Sequence, residues 1–176
     1  MTVHRSTLVL GGVRSGKSRL AERLAERNGG DVTYIATAQP RDDAEMRARI
    51  DAHRTRRPAH WSTVEAPLRL AAQLQRSCRP GGCVLVDCLT LWLTNLLCTD
   101  ETTLLSTQTD ALLDLLPTLP GRVILVSNET GLGVVPMGEL TRRYVDAAGE
   151  LHQRLAEICD DVIFTVAGLP HVLKGS

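Results

Sequence analysis

Lysine is almost absent from this sequence. Of its 20 basic residues only Lys17 and Lys174 are lysine, and all the others are arginine. An arginine guanidinium offers a planar fork of donors, whereas a lysine ammonium is a compact point charge. In a chain that uses arginine nearly everywhere else, the lysine at position 17 indicates a site that needs the smaller cation.

Net charge, long apolar runs and paired cysteines are lacking as well. The 20 basic and 20 acidic residues cancel, so the chain has no general attraction for nucleic acid or an anionic membrane. No apolar stretch approaches the roughly 20 residues that span a bilayer, and the N-terminal residues do not form a signal-peptide pattern. The five cysteines include no C-x-x-C pair, which favours reduced thiols. We expect a cytoplasmic protein without a membrane span or a nucleic-acid partner.

Short apolar runs alternate with amphipathic stretches along the chain, as in a parallel sheet with crossover helices. The predicted strands are Thr7–Leu10, Val32–Ala36, Cys83–Asp87, Arg122–Ser127 and Val162–Val166, with a weaker one at Trp61–Glu65. The predicted helices are Lys17–Arg27, Asp42–Arg57, Pro67–Ser77, Leu89–Leu97, Leu104–Leu116 and Glu139–Cys159. The central strands are apolar on both faces, which is typical of strands covered from both sides. We therefore predict a single α/β domain over residues 1–176.

A complete G-x-x-x-x-G-K-S motif follows the first predicted strand and opens the first predicted helix. Its residues are Gly11, Gly12, Val13, Arg14, Ser15, Gly16, Lys17 and Ser18. Glycines let the backbone N–H groups surround phosphate oxygens, and the helix N-terminus adds its dipole. In such a loop the lysine contacts the β and γ phosphates and the serine hydroxyl binds Mg²⁺. The motif predicts a site for a nucleoside triphosphate with Mg²⁺.

An acidic residue supports this prediction. Asp87 ends the apolar run Val84-Leu85-Val86, which is the pattern of the Walker B carboxylate that assists Mg²⁺. Strands often end in aspartate, so the assignment depends on the glycine loop being present. We expect Ser18 and Asp87 to hold the metal.

Residues 41–61 hold six arginines and two histidines, His53 and His60. On helical spacing Arg49, His53 and Arg56 share one surface. Neighbouring cations disfavour protonation of imidazole, and a neutral imidazole can attack phosphorus. Four acidic residues in the same stretch leave open the plainer interpretation of a solvated, salt-bridged helix.

A further segment, Asn128–Pro136, follows the end of a predicted strand, where α/β sheets place ligand-binding loops. Its glycines fit either close approach to a ligand or an ordinary turn-rich connection. Glu129 is a candidate contact to substrate or Mg²⁺.

Several motifs together resemble one known family over essentially the whole chain. They are Gly11–Arg19, Tyr34–Thr37, Glu45–His53, Arg57–Trp61, Val86–Thr90, Trp92–Leu97, Ser127–Pro136, Gly149 and Gln153–Ala156. The sequence is similar to the bifunctional adenosylcobinamide kinase / adenosylcobinamide-phosphate guanylyltransferase enzymes of cobalamin biosynthesis. The fold expected with this resemblance is a P-loop NTPase of the RecA-like kind.

The resemblance implies two reactions at one site. Adenosylcobinamide is phosphorylated with GTP or ATP, and GMP is then transferred from GTP to that phosphate through a guanylylated histidine. His53 matches the histidine by position, so the expected catalytic residues are His53, Lys17 and Asp87. Glu65 joins the glycine loop among the expected nucleotide-binding residues. The resemblance also implies that the chain forms a homo-oligomer, namely a trimer.

Other functions remain open from the residues alone. A small-molecule kinase would use the glycine loop and Asp87 but not His53. A regulatory GTP-binding switch is disfavoured because no N/T-K-x-D motif occurs. A non-catalytic nucleotide-binding module would use Arg41–Arg57 as a docking surface.

Overall fold

Seven strands form one sheet in the computed structural model of the chain, which describes residues 5–39 and 57–175. They are β1 (Arg5–Gly11), β2 (Val32–Ala36), β3 (Ser62–Glu65), β4 (Cys83–Asp87), β5 (Arg122–Asn128), β6 (Asp161–Val166) and β7 (Leu169–Lys174). All six strands predicted from the sequence are present, with ends shifted by no more than two residues.

The strand order is β3-β2-β4-β5-β1-β6-β7. All neighbouring pairs from β3 to β6 are parallel, and β6 and β7 are antiparallel. β5 therefore lies between β1, which leads into the glycine loop, and β4, which ends at Asp87. Strands lie about 4.8 Å apart, so the loop and Asp87 occupy the same sheet edge about two strand spacings from each other. The predicted α/β fold with a mostly parallel sheet is confirmed.

Helices cover both faces of the sheet. They are α1 (Lys17–Glu26), α2 (Leu70–Ser77), α3 (Leu89–Leu97), α4 (Leu104–Leu115, continued by a short 3-10 turn at Leu116–Thr118) and α5 (Glu139–Ile158). We call the face covered by α1 the front face and the face covered by α2 to α5 the rear face. None of the helices in the described residues is long and apolar enough to cross a membrane.

The side chains of β5 alternate between the two cores. Val123 and Leu125 belong to the rear core, and Ile124 and Val126 belong to the front core. This two-residue period is the ordinary consequence of the pleated strand. The alternation determines towards which face of the sheet the side chain of each later residue of β5 points.

The start of α2 differs from the prediction, which placed Pro67 in the first helical turn. The helix begins at Leu70. The carbonyl of Pro67 accepts a hydrogen bond from Asn95 Nδ2 at 3.0 Å, and that of Leu68 accepts one from Trp92 Nε1 at 2.8 Å. Because these carbonyls bind side chains of α3, the residues before Leu70 anchor that helix instead of forming a turn of their own.

The sequence did not predict β7, which lies at the edge of the sheet with all six residues exposed. Pro170 within it is tolerated because an edge strand has one side unpaired. Ala167 and Gly168 have φ values of 51° and 80°, as a two-residue turn of type I′ requires. The charged helix predicted over Asp42–Arg57 lies outside the described residues except for Arg57.

Candidate active site

The loop between β1 and α1 has the geometry expected of a phosphate loop. Gly16 has a φ of 94°, a conformation that glycine adopts readily, and α1 begins at the next residue. An added Cβ on Gly11 would lie 2.5 Å from both Ser15 Oγ and Thr165 O. The amide of Ser15 donates to Gly12 O at 3.2 Å. Both Gly11 and Gly16 are therefore needed for the bend that brings the N-terminus of α1 to the loop, where helix amides bind anions.

Lys17 is buried beneath this loop, with 9% of its surface exposed. Its Nζ donates to Gly12 O at 3.1 Å, which uses one of the three donors of an ammonium. Burial lowers the pKa of Lys17, and the negative charge of Asp87 acts in the opposite direction. The ammonium is thus held between the loop and Asp87 with donors remaining for phosphate oxygens.

Asp87 ends β4, two residues after the front-core residue Leu85, so its side chain addresses the front face. Burial and then the charge of Asp87 raise the pKa of Tyr34, whose hydroxyl also hydrogen-bonds to Asp87. The guanidinium carbon of Arg57 lies 3.5 Å from the centroid of the Tyr34 ring. Lys17, Asp87, Tyr34 and Arg57 form one polar cluster on the front face.

The side chains of Ser18 and Asp87 offer oxygen ligands that fit a magnesium ion. Ser18 is half-buried in the first turn of α1, and Asp87 is half-buried at the end of β4. Hydroxyl and carboxylate oxygens are hard ligands of the type that Mg²⁺ prefers, and the ion usually takes further ligands from phosphate and water.

Glu65 lies at the same sheet edge but farther from the loop. It is opposite Ala36 in β2, and Ala36 is also opposite Asp87 in β4. Four strand spacings, about 19 Å, separate β3 from β1. The structure therefore brings Lys17, Ser18 and Asp87 together, and it leaves Glu65 on the far side of Asp87.

His53 lies outside the described residues. The residues that follow it in the sequence are fixed at two points, because Arg57 stacks on Tyr34 and the buried Trp61 packs in the front core. The amide of Trp61 donates to Pro58 O at 3.0 Å and closes a turn. His60 is exposed in that turn.

The end of β5 runs between the glycine loop and the start of α3. The amide of Asn128 donates to Thr90 Oγ1 at 2.8 Å, and the amide of Glu129 donates to Gly11 O at 3.0 Å. Glu129 Oε1 accepts a hydrogen bond from the amide of Gly131 at 2.6 Å. This part of the Asn128–Pro136 segment is thus tied directly to the phosphate loop.

His152 of α5 reaches the same strand end from the rear. Its Nε2 lies 2.8 Å from Ser127 Oγ, and its Nδ1 lies 3.8 Å from Glu129 Oε2. Burial lowers the pKa of His152, and the charge of Glu129 opposes this. In a neutral ring, a proton on Nδ1 faces the carboxylate of Glu129 and leaves Nε2 to accept from the serine hydroxyl.

The turn between β6 and β7 also touches the loop. The amide of Gly168 donates to Ser15 O at 2.8 Å, and an added Cβ on Gly16 would lie 3.0 Å from Gly168 Cα. The C-terminal hairpin therefore forms one wall of the phosphate loop.

Sequence reasoning gave no role to Tyr34, Gly168 or His152. The signal for His152 was present, because it lies on the buried stripe of α5 with Ala148, Leu151 and Leu155. A histidine in an apolar stripe needs a polar partner. The partners come from another element, which the sequence pattern of the helix does not reveal.

The fold is shared with solved structures of low sequence identity. The flagellar accessory protein FlaH from Methanocaldococcus jannaschii matches with a TM-score of 0.51 and 14% identity, over 99% of this chain and 80% of that protein. A structural-project protein from Pyrococcus horikoshii OT3 matches with a TM-score of 0.57 and 7% identity, over 99% and 88%. These similarities concern the fold alone.

Sequence relatives carry more information. The bifunctional adenosylcobalamin biosynthesis protein CobP of Pseudomonas aeruginosa is 66% identical over 96% of this chain and 96% of its own length. The protein CobU of Escherichia coli, with the same description, is 39% identical over 95% and 98%. The family model for cobinamide kinase / cobinamide phosphate guanyltransferase matches residues 7–173. With the glycine loop, Lys17 and Asp87 assembled at one sheet edge, the chain belongs to the cobinamide kinase / cobinamide phosphate guanyltransferase family.

Proposed function

We propose that this chain catalyses both reactions of its family on adenosylcobinamide. It phosphorylates the aminopropanol hydroxyl with GTP or ATP, and it then transfers GMP from GTP to the new phosphate, releasing pyrophosphate. The observation that carries the proposal is the buried Lys17, held between Gly12 O and the charge of Asp87 at the mouth of a complete phosphate loop.

In the kinase step the hydroxyl oxygen forms a bond to the γ phosphorus, and the bond from that phosphorus to the β-bridging oxygen breaks. The hydroxyl proton is lost, and the nucleoside diphosphate leaves. Lys17 and the loop amides would hold the phosphate oxygens, and Ser18 and Asp87 would hold Mg²⁺. The metal, when bound, offsets negative charge on the triphosphate.

In the guanylyltransferase step a neutral imidazole nitrogen of His53 attacks the α phosphorus, and pyrophosphate leaves. The phosphate of adenosylcobinamide phosphate then attacks the same phosphorus and releases the imidazole. Such a covalent route divides one difficult transfer into two easier ones. Structural support comes from Arg57, four residues after His53, which stacks on Tyr34 in the cluster that contains Asp87 and Lys17.

Glu65 would serve the nucleoside end of the substrate. Its distance of four strand spacings from β1 is too long for contact with phosphates in the loop. A nucleotide whose phosphates occupy the loop and whose base extends along the sheet edge would approach Glu65. We propose Glu65 as a contact to the base or ribose.

A trimer is the proposed assembly. Support comes from exposed apolar side chains between the end of β5 and the first turn of α5, namely Leu132, Val134, Val135, Met137 and Leu140. An exposed patch of this kind commonly marks an interaction site.

Labelling with α-labelled GTP and Mg²⁺ tests the guanylyltransferase half. We expect an acid-labile, base-stable GMP adduct on the wild-type protein and none on His53→Ala. The matched control is His60→Ala, which removes an exposed histidine from the same arginine-rich region and should keep the label. A wild-type protein that binds GTP but takes up no label would leave only the small-molecule kinase.

The kinase half is tested with γ-labelled nucleotide and cobinamide. Wild-type protein should transfer the label to cobinamide, and Asp87→Asn should lose most of that transfer and need more Mg²⁺. Absence of labelled cobinamide with active, folded protein would remove the kinase activity from the proposal.

A further inference from the structure

The polar cluster of Ser127, His152 and Glu129 has no assigned role. Its residue types are those of a serine–histidine–carboxylate triad, but the 3.8 Å from His152 Nδ1 to Glu129 Oε2 is longer than a hydrogen bond. Ser127 is fully buried, at 0% exposure, so its hydroxyl is not available as a nucleophile. The cluster must therefore act by holding something in place.

The alternation of side chains along β5 indicates which residue this cluster holds in place. Ser127 follows Val123 and Leu125 on the rear side of β5, whereas Asn128 follows Ile124 and Val126 on the front side. Glu129 continues the parallel ladder, because its amide donates to Gly11 O. His152 thus contacts both neighbours of Asn128 from the rear, with Nε2 at 2.8 Å from Ser127 Oγ and Nδ1 at 3.8 Å from Glu129 Oε2.

The front side at this point is the active-site side. Asp87 and Lys17 both lie there, and β5 runs between the strands that carry Asp87 and the glycine loop. The half-buried Asn128 is opposite Gly11 in the register, and its amide is bound to Thr90 Oγ1 just after Asp87. Strand alternation directs its side chain to the front, on the strand that lies between those carrying the glycine loop and Asp87.

We infer that His152 is a positioning residue for phosphoryl transfer. From the rear of the sheet it fixes Ser127 and Glu129, and it thereby holds the Asn128 side chain towards the transferred phosphoryl group. The inference rests on the proposed kinase activity. Lys17 and the loop amides belong to β1, α1 and the loop between them, so we expect loss of His152 to affect phosphoryl transfer more than nucleotide binding.

A double-mutant cycle tests this arrangement with γ-labelled nucleotide and cobinamide. Both Asn128→Ala and His152→Ala should lower kcat for phosphorylation about 10- to 100-fold, the effect of a small misplacement in an active site. KM for the nucleotide should change less than about twofold, because binding and transfer are separable contributions. The double variant should be no slower than Asn128→Ala, since coupled residues are not additive.

A second pair of variants covers the case in which His152→Ala does not fold. Glu129→Gln keeps the Oε1 acceptor for the Gly131 amide, and its amino group can donate to His152 Nδ1 when the ring takes the other tautomer and Nε2 donates to Ser127 Oγ. It should therefore restore most of the activity that Glu129→Ala loses. His171→Ala, on the exposed strand β7, serves as the histidine control and should match wild type.

The outcomes separate the two proposals. An active wild type in which the Asn128 and His152 losses add, or in which Glu129→Gln is as slow as Glu129→Ala, overturns the positioning role alone. Losses that appear in nucleotide KM instead of kcat also overturn it. A folded wild type without kinase activity overturns the proposed function, and with it the step that His152 would serve.

Discussion

At the residue scale, Lys17 is a buried positive charge. Almost everywhere else in the chain the positively charged residue is arginine. Its Nζ reaches Gly12 O in a space closed by the loop and Asp87. A guanidinium is broader and planar and does not reproduce this placement. The retention of lysine at position 17 in an arginine-rich chain thus corresponds to a steric requirement.

We predict that Lys17→Arg loses both activities although the charge is kept. The expected fall in kcat/KM is at least about 100-fold, as for loss of a group that stabilises transition-state charge. Lys174→Arg is the matched control, because Lys174 is exposed and binds the carbonyls of Ala156 and Glu157. Labelled-nucleotide assays on both variants decide the question, and near-normal rates for Lys17→Arg would contradict it.

His152 leads to a prediction about pH and stability. Its pKa is lowered in the folded chain by burial, against the opposing charge of Glu129, and the unfolded value is about 6.5. Below about pH 6.5 the unfolded chain binds more protons at this site, so its contribution to stability is present above that pH and is lost as the pH falls.

The measurement is urea unfolding between pH 7.5 and 5. His152→Gln should show a shallower loss of stability on acidification than wild type. Equal slopes for wild type and His152→Gln would show that this histidine does not contribute.

At the element scale, the glycine loop depends on backbone conformation as much as on side chains. Gly16→Ala should cost about 1–2 kcal/mol of stability, the usual penalty for an L-residue in the left-handed region. Nucleotide binding should weaken as well, because the new Cβ would press on Gly168 Cα at 3.0 Å.

Gly149→Ala is the control for that prediction. Gly149 lies within α5, and an added Cβ there meets nothing within 4 Å. Alanine in a helix interior is favoured over glycine by about 0.5–1 kcal/mol, so this variant should be slightly more stable and bind nucleotide normally. Urea unfolding and nucleotide titration measure both effects.

Elements with a strong local signal were predicted from the sequence. The central strands are recognisable in the sequence as short apolar runs. Gly11 to Ser18 form a motif whose backbone conformation depends on residues within the motif itself. β7 carries no such signal, because an exposed edge strand containing Pro170 is defined by its partner β6. The start of α2 was wrong by three residues because side chains of α3 bind the carbonyls of Pro67 and Leu68.

The residues of the candidate site also fall into those that the sequence predicts and those that only the structure reveals. Lys17, Ser18 and Asp87 follow from motif and strand ends, and the structure brings them together. The grouping of Ser127 with Glu129 and His152 depends on α5 crossing behind β5, a tertiary contact without a local pattern. The roles given to His53 and Glu65 remain predictions.

At the scale of the whole molecule, light scattering should give the mass of three chains. Val134 and Met137 are 96% and 95% exposed, and charged residues at an apolar contact are costly to bury. Val134→Glu with Met137→Glu should therefore reduce the mass to that of one chain. A single-chain mass for wild type at micromolar concentration would contradict the trimer.

The hydrogen bond from the Gly168 amide to Ser15 O joins the loop after β1 to the β6–β7 hairpin. The strand that carries the loop, β1, is likewise flanked by β5 and β6, which come late in the sequence. During synthesis the residues that hold phosphate emerge well before β5, β6 and β7, their neighbours in the fold. The nucleotide site is thus completed only after the β6–β7 hairpin has been synthesised, so a polypeptide terminated before β5 has the motif without the pocket.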